Sequence, residues 1–322
     1  MNITIGSLIR NREWILPLFL EHILKIDYDK KLITLHFIIN NSIDQSQHIL
    51  EQFKSEHDSS YRIIKIETID NPDLGMDYLK EKFKMLYKSS YDIFLKNSPK
   101  KIKGSKALDK FIALNNKKFE YFKSKINIDK DIRSKDARNG FIYSHLAELR
   151  NRLFNSCIDN LINIDSDILV QPDIISKLIA HKKDMISSYI FNGYEYSLVH
   201  PEHKYFNFTN CCENTMVCKV FGETVMKKPG HKPLKKSNIR LAFKNNINPL
   251  EVGLTGAVCF YSNKLIRDTR VRFGYHDQGE DHYYCLEAQR CGYKIFTDTN
   301  CYSQHIMSEY WLEKYLSGEK VD

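Results

Sequence analysis

The sequence predicts an α/β fold in which a mostly parallel central sheet is flanked by helices. Apolar strands alternate with amphipathic helices over residues 2–67, the order that produces parallel strands. The second of these strands, at 32–39, is almost continuously apolar, as expected when helices cover both faces of a sheet. A further apolar strand is predicted at 162–170, and it contains two carboxylates.

Length and composition are consistent with one large domain. The chain has 322 residues, of which 42% are hydrophobic, enough for a sizeable core. We predict a single domain over 1–305 with a helical insertion at about 71–139, and a helical tail over 306–322. The net charge of +8 allows an anionic partner, but no nucleic-acid recognition motif is present. No nucleic-acid partner is therefore expected.

The cysteines indicate a reducing environment. None of the eight forms a Cys-x-x-Cys pair, which favours reduced thiols and a cytoplasmic location. A zinc site built from Cys211, Cys212, Cys218, His200 and His203 has no standard spacing and is disfavoured. Met1 leads directly into a strand, so no signal peptide is expected, and the apolar stretch 14–24 is too short to span a bilayer.

Polar residues follow the first two predicted strands. The strand at 2–9 ends at Arg10-Asn11-Arg12, before a helix at 13–24. The strand at 32–39 ends at Asn40-Asn41-Ser42-Ile43-Asp44, before a helix at 45–57 and a strand at 61–67. Ligands of parallel α/β sheets bind beyond the carboxyl ends of the strands. We therefore expect Arg10, Arg12, Asn40, Asn41 and Asp44 at a binding site.

The insertion at 71–139 is rich in lysine. Helices are predicted at 78–87, 91–95 and 107–125, with aromatic residues at spacings that form an apolar face. The segment is interpreted as a helical hairpin or lid. A structural cover over the sheet, a substrate-binding element, and a basic face for a membrane surface or an acidic acceptor all remain open.

The acid pair at 165–167 is the strongest chemical signal. If the strand continues through it, Asp165 and Asp167 lie on one face and Ser166 on the other. A divalent cation bridging the acids to a phosphate would relieve their repulsion. The alternative is a loop in which each acid caps a turn. In the preceding helix, 141–160, Arg150 or Arg152 could hold a diphosphate or merely pair with surface acids.

The C-terminal third carries a second acidic motif. A helix at 172–182, a strand at 184–190 and an irregular stretch at 191–248 precede a block at 252–261. Glu280-Asp281 follows a glycine-flanked loop, and Asp281 could simply be a helix N-cap. A strand at 292–297 leads towards His305. The tail is amphipathic and suits a cap, a membrane contact or a dimer surface.

Taken in order, these blocks resemble a GT-A-fold glycosyltransferase of the family 2 kind. The segments are SLIRNRE, FIINNSID, LRNRLF, INIDSDI, GLTGAV, GEDHYYCLEAQRCGYKIF and the final SQH. The N-terminal strand and helix and INIDSDILVQPD are also similar to the glycosyltransferase domain of procollagen galactosyltransferases. Two features depart from the pattern: the loop after the second strand keeps only the carboxylate of Asp44, and the lysine-rich insertion is additional.

The resemblance implies metal-dependent transfer of a hexose from a nucleotide sugar, a UDP-sugar, with Mn²⁺ or Mg²⁺ as cofactor. The acceptor would be a saccharide, a lipid-linked glycan or a protein, and the reaction would be inverting. Nucleotide contacts map to Ile9, Arg10, Arg12, Asn40, Asn41, Asp44, Arg150, Asp165 and Ser166.

The same resemblance assigns roles to the acids. Asp167 would be the direct metal ligand, with Asp165 beside the ribose or the metal and His305 as a further ligand. Glu280-Asp281 would be the catalytic motif, with Asp281 the general base. Gly253 and Gly256 would allow the backbone to approach the sugar or acceptor.

Two other functions share parts of this sequence pattern. A sugar-nucleotide nucleotidyltransferase is disfavoured, because Arg10-Asn11-Arg12 stand where a glycine-rich phosphate loop should follow the first strand. A catalytically inactive binding protein of the same fold would not require Asp165, Asp167 and Asp281 together.

Overall fold

A computed structural model describes residues 1–70, 76–98, 104–125, 140–192, 208–212, 233–276 and 279–318. The strands are β1 (Ile3–Ile9), β2 (Ile33–Asn40), β3 (Ile63–Ile69), β4 (Asn160–Ile164), β5 (Ile168–Leu169), β6 (Met185–Tyr189), β7 (Phe191–Asn192), β8 (Phe208–Cys212), β9 (Pro233–Lys235), β10 (Leu250–Val252), β11 (Val258–Tyr261), β12 (Ile295–Tyr302) and β13 (Gln304–His305). The helices are α1 (Leu16–Leu24), α2 (Ser46–His57), α3 (Met76–Leu86), α4 (Lys88–Asn97), α5 (Ser105–Leu114), α6 (Asn116–Lys125), α7 (Gly140–Ser156), α8 (Ile174–Ala180), α9 (Lys236–Lys244), α10 (Asn263–Arg267), α11 (Glu280–Arg290) and α12 (Glu309–Leu316).

Eight strands form the central sheet in the order β10-β12-β6-β11-β4-β1-β2-β3. Only β10 and β11 run antiparallel to their neighbours, so the other six share one direction. The predicted α/β class with a mostly parallel sheet is confirmed. Since β2 and β3 lie on one side of β1 while β4 lies on the other, strand order reverses at the β1–β4 boundary.

Helices cover both faces of this sheet, which explains why its strands are apolar on both sides. One face packs against α1, α2 and α8 through residues such as Phe19, Leu50 and Ile175. The opposite face packs against α7, α9, α10 and α11 through residues such as Phe154 and Tyr284. The second of these layers places α7 and the start of α11 near the carboxyl end of β4.

Two predicted segments differ in the structure. The strand expected at 162–170 ends at Ile164, and Ile168–Leu169 pairs with Gln304–His305 outside the main sheet. Part of the stretch predicted as irregular forms the sheet β7-β8-β9 and the helix α9. The rest of that stretch, including the lysine-rich loop at 227–232, lies outside the described residues.

The described part of the predicted insertion contains four helices, α3 to α6, rather than a hairpin. Its aromatic residues form a separate core around Phe83, which is fully buried between Phe111, Phe119 and Phe122. The helix predicted at 107–125 is interrupted at Asn115, which separates α5 from α6. Buried Lys82 of α3 contacts Glu148 and donates to Ser144 Oγ over 3.0 Å, so the insertion is anchored on α7.

The C-terminal helix α12 packs on the body of the protein. Trp311 is 6% exposed and joins an apolar cluster with Ile15, Leu169, Phe191 and Ile306. Among the described helices, none is long and apolar enough to cross a bilayer. The seven cysteines in the described part of the chain are free thiols, and six are buried. Cys218, His200 and His203 of the disfavoured zinc site lie outside that part.

Candidate active site

The candidate site lies where the strand order reverses, beyond the carboxyl ends of β1 and β4. Crevices at such positions are the usual ligand sites of open α/β sheets, because the loops on either side diverge. Arg10 follows β1 and Asp165 follows β4. The start of α11 lies over the same edge, since Glu280 and Asp281 both approach α7 there.

Asp165-Ser166-Asp167 forms a tight turn. Ile168 N–H donates to Asp165 O over 3.0 Å, and Asp165 N–H donates to Ala257 O over 2.9 Å. The prediction that a strand continues through the pair is wrong, because this turn takes the chain out of the sheet after Ile164. The argument from alternating strand faces therefore does not apply, and the two carboxylates have different partners.

Asp165 is held by a buried arginine. Arg150 of α7, 5% exposed, donates from Nη2 to Asp165 Oδ1 over 3.2 Å and from Nε to Glu280 Oε1 over 2.9 Å. Its Nε also lies 3.6 Å from Asp281 Oδ1. Burial alone would lower the pKa of Arg150, but Asp281, Asp165 and Glu280 raise it well above its ordinary value. Arg150 is thus a permanent cation among three acids.

Arg152 has a different environment from Arg150. Its side chain is 58% exposed and contacts Glu67, away from the acids. Of the two arginines that the sequence offered, the structure places only Arg150 at the acidic site. Glu148, an acid on the same helix, contacts Lys82 of α3 rather than either arginine.

Asp281 lies in the first turn of α11 and faces Gly256. Gly279, with φ +127°, precedes the helix, so the alternative that Asp281 is the N-cap is wrong. A Cβ atom on Gly256 would overlap the Asp281 carboxyl group, so glycine is required for this close approach. The Asp281 side chain is 29% exposed. Gly253, the other predicted glycine, contacts Cys212 and Gln289 through its backbone.

Desolvation raises the pKa of Asp281 to about 8, with the charges of Glu280 and Asp165 adding to the shift and Arg150 opposing it. A carboxyl group with such a pKa accepts protons readily near neutral pH, which is a property of general bases. Glu280 is 5% exposed and hydrogen-bonded to Arg150, so it is less accessible than Asp281.

Asp167 lies with His305 and Arg12 on the other side of the turn. His305 Nε2 is 3.8 Å from Asp167 Oδ1, and Arg12 Nη2 is 3.6 Å from Asp167 Oδ2. The pairing of β13 with β5 places His305 opposite Ile168, next to the turn. Ser166, the residue between the acids, is 4% exposed. The described residues contain no cluster of three or more His, Cys, Asp or Glu side chains suited to a metal.

The loops after β1 and β2 are hydrogen-bonded to each other. Asn11 accepts from Ile43 N–H over 2.9 Å, and Asp44 Oδ2 accepts from Glu13 N–H over 2.9 Å. Asp44 Oδ1 also accepts from Ser46 N–H over 3.0 Å. Asp44, which the sequence offered as a nucleotide contact, therefore has both carboxylate oxygens on backbone donors.

Three other predicted nucleotide contacts form backbone hydrogen bonds or have buried side chains: Ile9, Asn40 and Asn41. Asn40 is 3% exposed. Its Nδ2 donates to Ile69 O over 3.3 Å, and its Oδ1 lies 3.1 Å from His145 Nε2. Asn41 has φ +45° and donates its N–H to Ile69 O over 3.1 Å. The Ile9 side chain is fully buried, and Arg10 O accepts from Arg12 Nη1 over 2.9 Å.

Two supporting asparagines were missed from the sequence. Asn163 donates to Asp165 Oδ1 over 3.2 Å, and Asn210 donates to Gly256 O over 2.8 Å. Both are buried. Asn163 could have been found from the sequence, because it is an amide within the apolar strand β4. Asn210 lies in a stretch without periodicity, so no pattern could have identified it.

Comparison with known protein families identifies the family of this chain. The Anp1 sequence family matches residues 2–219, about two thirds of the chain. The chain belongs to the Anp1 family. Anp1 proteins are GT-A-like mannosyltransferases, so the predicted identity as a GT-A-fold glycosyltransferase is confirmed at the level of the family. No curated protein sequence matches this Anp1 chain.

Solved structures similar to this Anp1 chain are more distant. TarS 1-349 of S. aureus is 12% identical over 98% of the chain, with a TM-score of 0.44. The mannosyltransferase PcManGT of Pyrobaculum calidifontis, solved with GDP-Man and Mn²⁺, is 10% identical over 94%, with a TM-score of 0.46. GalNAc-T7, solved with UDP, GalNAc and Mn²⁺, is 11% identical over 95%, with a TM-score of 0.47. The chain spans 64%, 56% and 44% of these structures, respectively.

Proposed function

We propose that the protein transfers a hexose from a nucleoside-diphosphate sugar to a hydroxyl acceptor, with inversion and with the help of a divalent cation. The observation that carries this proposal is the convergence of Asp165, Glu280 and Asp281 on Arg150 at the reversal of strand order. A saccharide, a lipid-linked glycan or a protein side chain would supply the hydroxyl group.

Asp281 is the proposed general base. Its carboxylate would take the proton of the acceptor hydroxyl as that oxygen attacks the anomeric carbon. The bond from the anomeric carbon to the diphosphate oxygen then breaks, and the nucleoside diphosphate leaves with the bonding electrons. The partial exposure of Asp281 and its raised pKa suit this role, whereas Glu280 would orient Arg150.

Positive charge for the diphosphate would come from Arg10 and Arg12 after β1. Arg12 is 17% exposed, and its Nη2 lies 3.6 Å from Asp167 Oδ2, so its guanidinium lies beside a proposed cation ligand. Arg150 is less suited to direct phosphate binding than the sequence implied, because its Nε and Nη2 already bind carboxylates. We propose that it positions the two acidic motifs.

Asp167 and His305 would hold the cation, with Asp165 adjacent. The Asp167 carboxylate on the turn and the His305 imidazole on β13, 3.8 Å apart, form a donor set that suits Mn²⁺ better than Ca²⁺. When bound, the cation would neutralise charge on the departing diphosphate. Diphosphate oxygens and water would provide the remaining ligands.

The proposal leaves open which nucleotide carries the donor sugar. The sequence resemblance favours a UDP-sugar, and membership of a mannosyltransferase family makes mannose the first sugar to test, carried by GDP or UDP. A cytoplasmic location also belongs to the proposal, supported by the free thiols of the described cysteines.

The decisive experiment measures donor binding and single-turnover transfer with UDP-sugars and GDP-mannose, with Mn²⁺ and with EDTA. We expect metal-dependent nucleotide binding that Asp167→Asn weakens and Asp281→Asn preserves, while both variants lose turnover. Asp58→Asn is the matched control, because its 56% exposed carboxylate is remote from the crevice. Nucleotide binding that is unaffected by metal, or an active Asp281→Asn enzyme, would contradict the assignments.

A binding protein without activity predicts a different result. Nucleotide would bind, but no donor in the panel would be consumed in the presence of metal and a range of acceptors. Release of pyrophosphate from a nucleoside triphosphate would instead support the nucleotidyltransferase alternative.

A further inference from the structure

The insertion carries the entire positive excess of the chain. Residues 76–125 contain 14 lysines, no arginine and 5 acids, whereas the whole chain has a net charge of +8. The remaining residues are therefore close to neutral, with slightly more acids than bases. A general lysine bias in composition does not explain this, because lysine elsewhere is balanced by acids. The asymmetry indicates an anionic partner for the insertion.

The acids of the insertion neutralise few of its lysines. Asp109 pairs with Lys80, Glu81 with Lys84, and Glu120 with Lys123. Six further lysines have no carboxylate within 4.0 Å among the described residues: Lys88, Lys96, Lys106, Lys110, Lys117 and Lys118. All six are exposed. The insertion thus has six exposed ammonium groups that pair with no carboxylate among the described residues.

Exposed apolar side chains are concentrated on the same four helices. Of the thirteen large apolar side chains exposed in the described residues, six belong to the insertion: Met76, Met85, Ile93, Leu95, Leu114 and Tyr121. Leu114 is 68% exposed and Tyr121 is 63% exposed, whereas other aromatic and aliphatic residues of the same helices are buried in a core.

Lysines and apolar side chains are interleaved where α5 meets α6. Lys110 precedes Leu114 by four residues on α5, and Lys117 and Lys118 precede Tyr121 by four and three residues on α6. Residues at these spacings share a helix face. We call Lys110, Leu114, Lys117, Lys118 and Tyr121 the basic corner. Lysine beside exposed leucine and tyrosine is the composition of helices that lie at a bilayer surface.

We propose that the basic corner docks the protein on a bilayer containing anionic phospholipids. The lysines would face the headgroups, while Leu114 and Tyr121 would enter the interfacial layer. A nucleic acid fits the basic corner less well, because the helices α3 to α6 contain no arginine to bind phosphates through paired donors. Lys82 links the insertion to α7, so docking would hold the Arg150 site close to the bilayer. This inference is independent of the proposed reaction.

Vesicle flotation of the full chain tests the proposal. We expect binding to phosphatidylcholine vesicles containing 30% phosphatidylserine, little binding to pure phosphatidylcholine, and release as salt screens the charges. Lys117→Gln with Lys118→Gln should lower the partition coefficient about 20-fold. Leu114→Ser should lower it about 5-fold. These positions are exposed, and an unchanged melting temperature would confirm that the variants are folded.

Matched controls use the same chemistry elsewhere on the chain. Lys264→Gln with Lys294→Gln removes two exposed lysines that are already paired with acids, and Ile158→Ser removes an apolar side chain that is 65% exposed. Both should leave vesicle binding within about twofold of wild type. Equal binding to neutral vesicles, an equal loss in the controls, or binding of RNA without binding of vesicles would overturn the proposal.

Discussion

Arg150 Nε donates to Glu280 Oε1 over 2.9 Å, although the two residues are 130 positions apart in the sequence. Their side chains are 6% and 7% exposed. Through its Nη2 the same guanidinium holds Asp165, so one buried cation joins the acidic turn after β4 to the acidic start of α11. The two motifs of the candidate site are thereby fixed relative to each other before any substrate binds.

Removing the charge of Arg150 should destabilise the protein strongly. Arg150→Met leaves Asp165, Glu280 and Asp281 without their shared cation, and losing one partner of a buried pair costs about 3–5 kcal/mol. Urea denaturation should show this loss in the free energy of unfolding. Arg152→Met is the control, since its side chain is 58% exposed and should change stability by less than about 1 kcal/mol. Similar effects of both changes would contradict the role of Arg150.

Asp281 should give the reaction a basic pH optimum. Its pKa is raised to about 8, so the deprotonated form that acts as base is a minority below that pH. We expect kcat/KM to rise about tenfold per pH unit below pH 8 and to level off above it. The profile should be measured for wild type and for Asp281→Glu. A rate that is flat from pH 6 to pH 9 would contradict the base assignment.

Gly256 and Asp281 should be energetically coupled. Gly256→Ala places a methyl group against the Asp281 carboxyl group and should destabilise the protein by about 1–3 kcal/mol. In an Asp281→Ala background the carboxyl group is absent, so the same change should cost much less. Unfolding free energies of the two single variants and the double variant give the coupling. Additive effects would show that the two residues are not in contact.

Lys82 should anchor the insertion on α7. Lys82→Met removes the buried ammonium that contacts Glu148 and Ser144, and it leaves those acceptors without their donor. We expect a loss of about 1–3 kcal/mol and faster proteolysis between the insertion and α7. Lys84→Met is the control, because Lys84 is 36% exposed and its ion pair is with Glu81 of the same helix. Proteolysis that is equally fast in both variants would contradict the anchoring role.

The sequence alone determined the α/β class, the polar ends of β1 and β2 and the order of the acidic motifs. Those features depend on local patterns: apolar runs such as 32–39 bury both faces of a strand, and polar residues follow where a strand ends. The resemblance based on these patterns led to the correct fold and enzyme class, a GT-A-fold glycosyltransferase, although the family is Anp1. The insertion was predicted from its lysine-rich composition, which differs from that of the strands around it.

Only the tertiary structure decided how the acids are distributed. A hydrogen bond from Ile168 to Asp165 turns the chain out of the sheet, and no periodicity could indicate that the two acids would have different partners. Arg150 could be separated from Arg152 only by packing, because α7 buries one of them and leaves the other in solvent. Contacts over 115 residues or more, such as Arg150 with Glu280 and Ser188 with Ser303, depend on the assembled sheet.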